Sequence, residues 1–126
     1  MVLKSSKARV QRRNKYNAPV HVKSKAVSAH LSTELREKYG VRSARVCTGD
    51  TVVVIRGNED IRGTEAKVVE VLTDKGHVII DGITVNQADG TAVAKPIHAS
   101  NLVITKLDLT DEWRLDSISK NKEAKE

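Results

Sequence analysis

Gly49-Asp50-Thr51-Val52-Val53-Val54-Ile55-Arg56-Gly57, read together with Arg62-Gly63-Thr64-Glu65-Ala66-Lys67-Val68, decides the fold of this 126-residue chain. A Gly-Asp turn opens a β-branched run, a glycine-bounded loop interrupts it, and a second apolar run continues from Ala66 to Leu72. This predicts two neighbouring strands, Thr51 to Ile55 and Ala66 to Leu72. The glycines between them let the loop bring its backbone close to a ligand. Along the first strand, Val52 and Val54 alternate with Val53 and Ile55, faces that read as core and neighbour contacts rather than a ligand slot.

Toward the C-terminus, short apolar runs follow at Val78 to Ile80, Ile83 to Val85, Val93 to Ile97 and Leu102 to Ile104. Lys75-Gly76, Asp81-Gly82 and Asp89-Gly90 read as the hairpin turns between them. Several short strands so closely spaced predict a mainly β chain folded as a small closed or half-open barrel. After Leu107 a short helix capped by Thr110, with Asp111, Glu112, Trp113 and Leu115, leads into a charged tail, Lys120 to Glu126, that is expected to be disordered. Trp113 is read as closing one end of the barrel, the alternative being an exposed ring that meets RNA or a neighbouring protein.

Toward the N-terminus, Ser32 to Tyr39 has a Ser or Thr cap, an acid in its first turn, Lys38 in its last and Gly40 at its end, which predicts a two-turn helix. Tyr16 to Ala29, with Pro19 and alternating Val20, His21, Val22 and Lys23, reads as an extended strap. Ser5 to Lys15 reads as a short helix, basic around most of its circumference and without an apolar face to dock.

Charge separates these regions. The first 25 residues hold eight Lys or Arg and no Asp or Glu; residues 1–46 carry net +10 and the remainder −4. A block of one sign repels itself and buries little, so it calls for a polyanion. The aromatic fraction is only 2%, with no Phe. Tyr16, Tyr39 and Trp113 cannot build a platform for stacked bases, so nucleic acid would be held through phosphates, sugar hydroxyls and shape.

Other chemistries find little support. A single cysteine, Cys47, excludes an internal disulfide, fits a reducing cytoplasm and reads as a packing residue. His21, His30, His77 and His98 do not fall at ligand spacing, so no metal or cofactor is expected, and His21 and His98 read as donors to RNA or backbone groups. Asp81, Asp89, Asp108 and Asp111 sit at turns and caps rather than forming a carboxylate dyad. No nucleophile, base and orienting group can be named together, so no enzyme is expected. The start lacks an apolar signal core, Pro19 interrupts a transit-type helix, and no window reaches the ~20 apolar residues of a membrane span.

The glycine-bounded segment resembles a KOW motif. Its flanks, Asn17-Ala18-Pro19-Val20-His21-Val22, Ser28-Ala29-His30-Leu31-Ser32, Leu35-Arg36-Glu37-Lys38-Tyr39-Gly40 and Arg42-Ser43, then Asp89-Gly90-Thr91-Ala92-Val93, Pro96-Ile97-His98-Ala99-Ser100-Asn101-Leu102 and Val103-Ile104-Thr105-Lys106-Leu107, resemble one family of large-subunit ribosomal proteins. It is the universal twenty-fourth family, the twenty-sixth in eukaryotes, and the long basic arm is similar to its archaeal and eukaryotic branch. The resemblance covers roughly residues 7–110. It departs at Ala66, where the motif usually carries glycine, and in the loop Asn58 to Ile61, which is longer and more acidic. A positive φ at Ala66 would be strained.

The resemblance implies an SH3-like barrel in a structural, non-catalytic protein of the cytoplasmic ribosome. It would bind the 5′ domain of large-subunit rRNA, aid early assembly and lie near the polypeptide exit tunnel. Its partners would be rRNA and neighbouring large-subunit proteins, without a membrane, a small-molecule substrate or homo-oligomerisation. The alternative is a KOW module of a transcription elongation factor, which would bind RNA polymerase. The implied division is a basic arm (1–31), a short helix and linker (32–46), the barrel (47–107) and a helix with a charged tail (108–126). On this account Lys4, Lys7, Arg9, Arg12, Arg13 and Lys15 neutralise phosphates, helped by His21, Lys23 and Lys25 along the strap. Arg42, Arg45, Arg56, Arg62 and Lys67, at barrel entry or on the motif loop, rank behind them, together with Lys95, His98, Asn101 and Lys106.

Overall fold

The β-branched run that opens the motif becomes a strand with one face sealed: Val52 and Val54 are fully buried, whereas Ile55 just beyond them is exposed. The computed structural model describes residues 5–124. In chain order these form α1 (Ala8–Tyr16), α2 (Val20–Ala26), β1 (Ser28–Leu31), α3 (Thr33–Tyr39), β2 (Ser43–Arg45) and β3 (Thr51–Val54). Then come β4 (Glu65–Leu72), β5 (His77–Asn86), β6 (Ala92–His98), a 3-10 turn (Ala99–Asn101), β7 (Leu102–Lys106) and α4 (Glu112–Glu123).

The strands make one mixed sheet in the order β2-β1-β7-β3-β4-β5-β6, with β1 parallel to β7 and every other neighbour antiparallel. The fold is mainly β as expected, but the sheet does not close: β2 and β6 are left as its two edges. The register stacks the inward residues. Val52 lies opposite Ala66 on one side and Ile104 on the other, and Val78 lies between Val71 and Ile97. Leu31, Ile80 and Leu102 complete an aliphatic core, with Ile118 of α4 covering one part of it. Each such side chain, fully buried, contributes about 1.5–3 kcal/mol, and the β-branched composition suits a pleated surface.

Lys75-Gly76 and Asp89-Gly90 do turn the chain, between β4 and β5 and between β5 and β6. Asp81-Gly82 does not. Strand β5 runs straight through it, and the residues in excess form a bulge: from Ile79 to Thr84 the partner strand advances only from Pro96 to Ala94. Gly82, at φ 80°, supplies the left-handed backbone that the bulge needs, and the kink lets Ile83 turn inward. Pro96 is tolerated because β6 is an edge strand.

Helix α3 follows its sequence signals. The Ser32 hydroxyl accepts from Leu35 N–H at 3.5 Å, and Gly40 ends the helix at φ 68°. The expected strap does not form. Pro19 has φ −61° and precedes α2, because proline at a helix start loses no hydrogen bond and has the required φ. Ser28 to Leu31 then enters the sheet as β1. The loop is unstrained at Ala66, which pairs with Val52 as an ordinary strand residue; among the described residues only glycines have positive φ.

At the C-terminal end the cap is Asp111, which accepts from Trp113 N–H at 3.0 Å, while Thr110 bonds to Asp108 instead. The helix runs on to Glu123, so Lys120 to Glu123 of the expected disordered tail is helical, and residues 125–126 lie outside the described residues. Trp113 closes nothing: it is 81% exposed. Cys47 is half-buried at the margin of the core, outside the buried cluster where it was expected.

Candidate nucleic-acid interface

The arm is helical but undocked. Helix α1 has no buried residue, no acid in its first turn and no side-chain cap. A helix this short is marginal alone, since nucleation costs more than a few hydrogen bonds return. Its spacing is nevertheless ordered: Arg9, Arg12, Arg13 and Tyr16 fall at i, i+3, i+4 and i+7, which places them on one face. Lys7 and Lys15 are exposed off that face, and Lys4 lies outside the described residues. In α2, His21 and Lys25 are exposed, while Lys23 reaches Asp74 of the β4–β5 turn at 3.7 Å and ties the second arm helix to the sheet.

The sheet gathers a second set. Lys67 of β4 and Lys106 of β7 both register against Thr51, so two exposed ammonium groups flank one threonine across three strands. The Asp108 carboxylate also acts on Lys67. Thr105, skipped by the register where β7 shifts between the rows of Thr51 and Val52, donates to the Glu65 carboxylate at 2.8 Å. Arg45 lies on edge strand β2, with Arg42 just before it, and both are exposed. Arg56 and Arg62 are exposed on the motif loop, but Glu59 and Asp60 stand between them and cancel their charge. Ile61 packs on the core and fixes that loop. Lys95 and Asn101 are half-buried, and the Asn101 carbonyl accepts from Ile55 N–H at 2.9 Å.

His98 does not donate to backbone. Its Nδ1 accepts from Ser100 N–H at 3.2 Å and from the Ser100 hydroxyl at 2.7 Å. Register also sets it opposite His77, with ring centroids 5.5 Å apart and planes at 87°. No sequence spacing indicates this pairing, because it depends on the register of β5 with β6.

A second long-range feature escaped the sequence. Asp50, fully buried, receives a fork from Arg114 of α4, 2.6 Å from each nitrogen to its own carboxylate oxygen. Cys47 N–H at 3.0 Å and Asp108 N–H at 2.9 Å complete the carboxylate's partners, and Arg114 also donates to the Arg45 and Asp108 carbonyls. Burial alone would lower the Arg114 pKa; the hydrogen bonds and charge of Asp50 outweigh it and leave the guanidinium above its ordinary value. Burial also raises the Cys47 thiol, partly countered by Arg114. On the surface, the Thr110 and Thr91 hydroxyls hold the Asp108 and Asp89 carboxyls below their usual range.

Among the described residues no three His, Cys, Asp or Glu side chains cluster as a metal site, and no helix is long and apolar enough to cross a membrane. A hollow of about 360 Å³ between α3 and α4 is lined by Lys38, Tyr39, Ile118, Ser119, Lys122 and Glu123, which do not form a nucleophile with its base.

Known proteins resemble this chain over most of its length. The family that unites the eukaryotic ribosomal proteins L26 with their archaeal L24 counterparts matches residues 5–121. The chain is similar to the large ribosomal subunit protein uL24 of Methanosarcina barkeri, 49% identical over 116 residues that span 92% of this chain and 98% of the relative. It is 48% identical to the protein of that name from Methanocella arvoryzae over 120 residues, 95% of either chain. The counterpart in Sulfurisphaera tokodaii is 44% identical over 122 residues, 97% of this chain and 89% of the relative.

Proposed function

The chain belongs to the family of eukaryotic ribosomal proteins L26 and their archaeal L24 counterparts, and on that footing we propose that it is a structural, non-enzymatic constituent of the large ribosomal subunit in the cytoplasm. In this role it binds the 5′ domain of large-subunit rRNA, aids early subunit assembly and lies near the polypeptide exit tunnel, beside neighbouring ribosomal proteins and without forming a homo-oligomer. The observation that carries the reading is α1, an arginine-faced helix with no buried residue. Such a helix gains its order from a polyanion that neutralises it.

Residues 1–31 then act as the RNA-binding arm, with β1 fastening its far end to the sheet. Residues 32–46 form the linker, 47–107 an SH3-like barrel carrying the KOW motif, and 108–126 the closing helix and tail. The return of β7 to pair with β3 supports a half-open barrel over β3 to β7. Arg9, Arg12 and Arg13 bind phosphates first, and Lys67 with Lys106 clamps another. Arg56 and Arg62 contribute less because their loop is neutral overall.

Sedimentation tests the proposal. The tagged chain, expressed in cells and separated on a sucrose gradient at raised salt, should travel with the large subunit at one copy per particle. Migration with RNA polymerase would favour an elongation-factor setting instead, and a chain free at the top of the gradient would refute both.

A further inference from the structure

His77 and His98 face each other across β5 and β6, and the partners of their Nδ1 atoms fix which nitrogen of each carries the proton. The Lys75 carbonyl, 2.8 Å from His77 Nδ1, can only accept, so that nitrogen bears the hydrogen and the neutral ring keeps its lone pair on Nε2. At His98 the Ser100 backbone N–H can only donate to Nδ1, so the neutral ring carries its hydrogen on Nε2. One ring therefore offers an acceptor and the other a donor. Neither Nε2 has a hydrogen-bond partner among the described residues, and neither is a buried unpaired atom.

We propose that this pair is a ribose-recognition site, in which a single 2′-hydroxyl of RNA donates to His77 Nε2 and accepts from His98 Nε2–H; it rests on the RNA-binding reading above. The chemistry selects the ligand. A phosphate offers only acceptors and would meet the His77 lone pair, whereas a hydroxyl is donor and acceptor at one atom. The rings meet edge to face, with centroids 5.5 Å apart and planes at 87°, so the two side chains form one cross-strand unit that a single group can approach. A-form RNA displays its 2′-hydroxyls in a wide, shallow groove, which suits a site on an exposed sheet edge.

The surroundings hold the geometry and admit a backbone. Ala99 N–H donates to the Gly76 carbonyl at 3.3 Å, which ties the β4–β5 turn to the residue after His98. Gly76 takes φ 70°, which the turn requires, and lies close to His98 Nε2, where a Cβ would stand in ordinary contact at 3.6 Å. Lys75 is exposed beside it and offers a cation to a flanking phosphate, while Lys23 of the arm is paired with Asp74 of the same turn.

Deoxynucleotide interference tests the site. Transcripts of the large-subunit rRNA 5′ domain, with 2′-deoxynucleotides scattered at low frequency, are selected for binding to the full chain, to His77→Phe and to His98→Asn. His77→Phe keeps a ring against His98, and His98→Asn keeps an acceptor for Ser100 N–H; matching thermal unfolding identifies variants that are folded. Wild type should reject deoxy substitution at one or two positions that both variants accept, with other interference unchanged. Each variant should bind the all-ribose transcript about five-fold more weakly, and the double variant no worse than either single one. Wild-type interference persisting in both variants would overturn the site while leaving the RNA-binding reading intact. If wild type bound no rRNA, that reading would fail and the site with it.

Discussion

Helices α1 and α4 stand near opposite ends of the chain, both short and both charged, yet only one is held by the protein. Helix α4 sends Arg114 into a fully buried carboxylate and lays Ile118, 6% exposed, on the core. Helix α1 buries nothing. Arginine is the decisive residue type in both, with opposite use: in α4 its fork is consumed inside the molecule, in α1 three forks are left for an outside anion. The order of α4 therefore belongs to the fold, whereas α1 takes none of its order from packing on the sheet.

The comparison breaks most visibly at Asp50. Replacing it by Ala leaves the Arg114 guanidinium partly buried without its counter-ion, and loss of one member of such a pair costs about 3–5 kcal/mol. Chemical denaturation should show that loss, whereas the double change Asp50→Ala with Arg114→Met should recover only the part due to the unpaired guanidinium, since Cys47 N–H and Asp108 N–H still lack their acceptor. A single Asp50→Ala within about 0.5 kcal/mol of wild type would mean that α4 is not anchored by this pair. The arm should behave conversely. Changing Arg9, Arg12 and Arg13 to Ala should leave unfolding untouched and flatten the dependence of log affinity for rRNA on log salt by roughly 2 to 2.7 units, at about 0.7–0.9 per phosphate contact. An unchanged slope would show that the stripe does not meet phosphates.

The apolar half of the α4 anchor is worth less. Ile118→Ala should destabilise the chain by about 2 kcal/mol, the low end for a buried isoleucine because it lies at the margin of the core. Smaller again is the motif loop. Arg56 and Arg62 are exposed and flanked by Glu59 and Asp60, so changing both to Ala should alter stability by less than about 0.5 kcal/mol, readable in the same denaturation assay.

Local patterns were legible in the sequence and long-range partnerships were not. The runs around Val52, Val68, Val78 and Leu102 announced strands because alternation and β-branching act over a few residues, and Ser32 and Gly40 marked α3 because caps are local. Asp81-Gly82 misled because a left-handed glycine serves a bulge as well as it serves a turn. Ser28 to Leu31 hid as a strand because its partners, β2 on one side and the distant β7 on the other, lie outside its own pattern. Asp50 looked like a turn residue and Arg114 carried no signal of its own until the fold placed them 2.6 Å apart. The basic arm was evident from composition, and the spacing of Arg9, Arg12 and Arg13 from the helix read there, but the His77–His98 pair needed a register.

Cys47 gives the comparison its finest probe. Its N–H donates to Asp50, and burial holds its thiol above the ordinary thiol range, so the thiolate that reacts with alkylating agents is scarce at mildly alkaline pH. The native chain keeps this proton more firmly than the unfolded chain does. The resulting contribution to stability is complete below the unfolded thiol pKa and is lost as pH rises through the raised folded value. Alkylation by iodoacetamide should accordingly be slower than for a small free thiol. It should quicken when Ile118→Ala loosens α4 and stay unchanged when Arg9, Arg12 and Arg13 are replaced. If the arm variant also quickened it, α1 would be coupled to the core after all, and the separation between a helix held from within and one held from without would be lost.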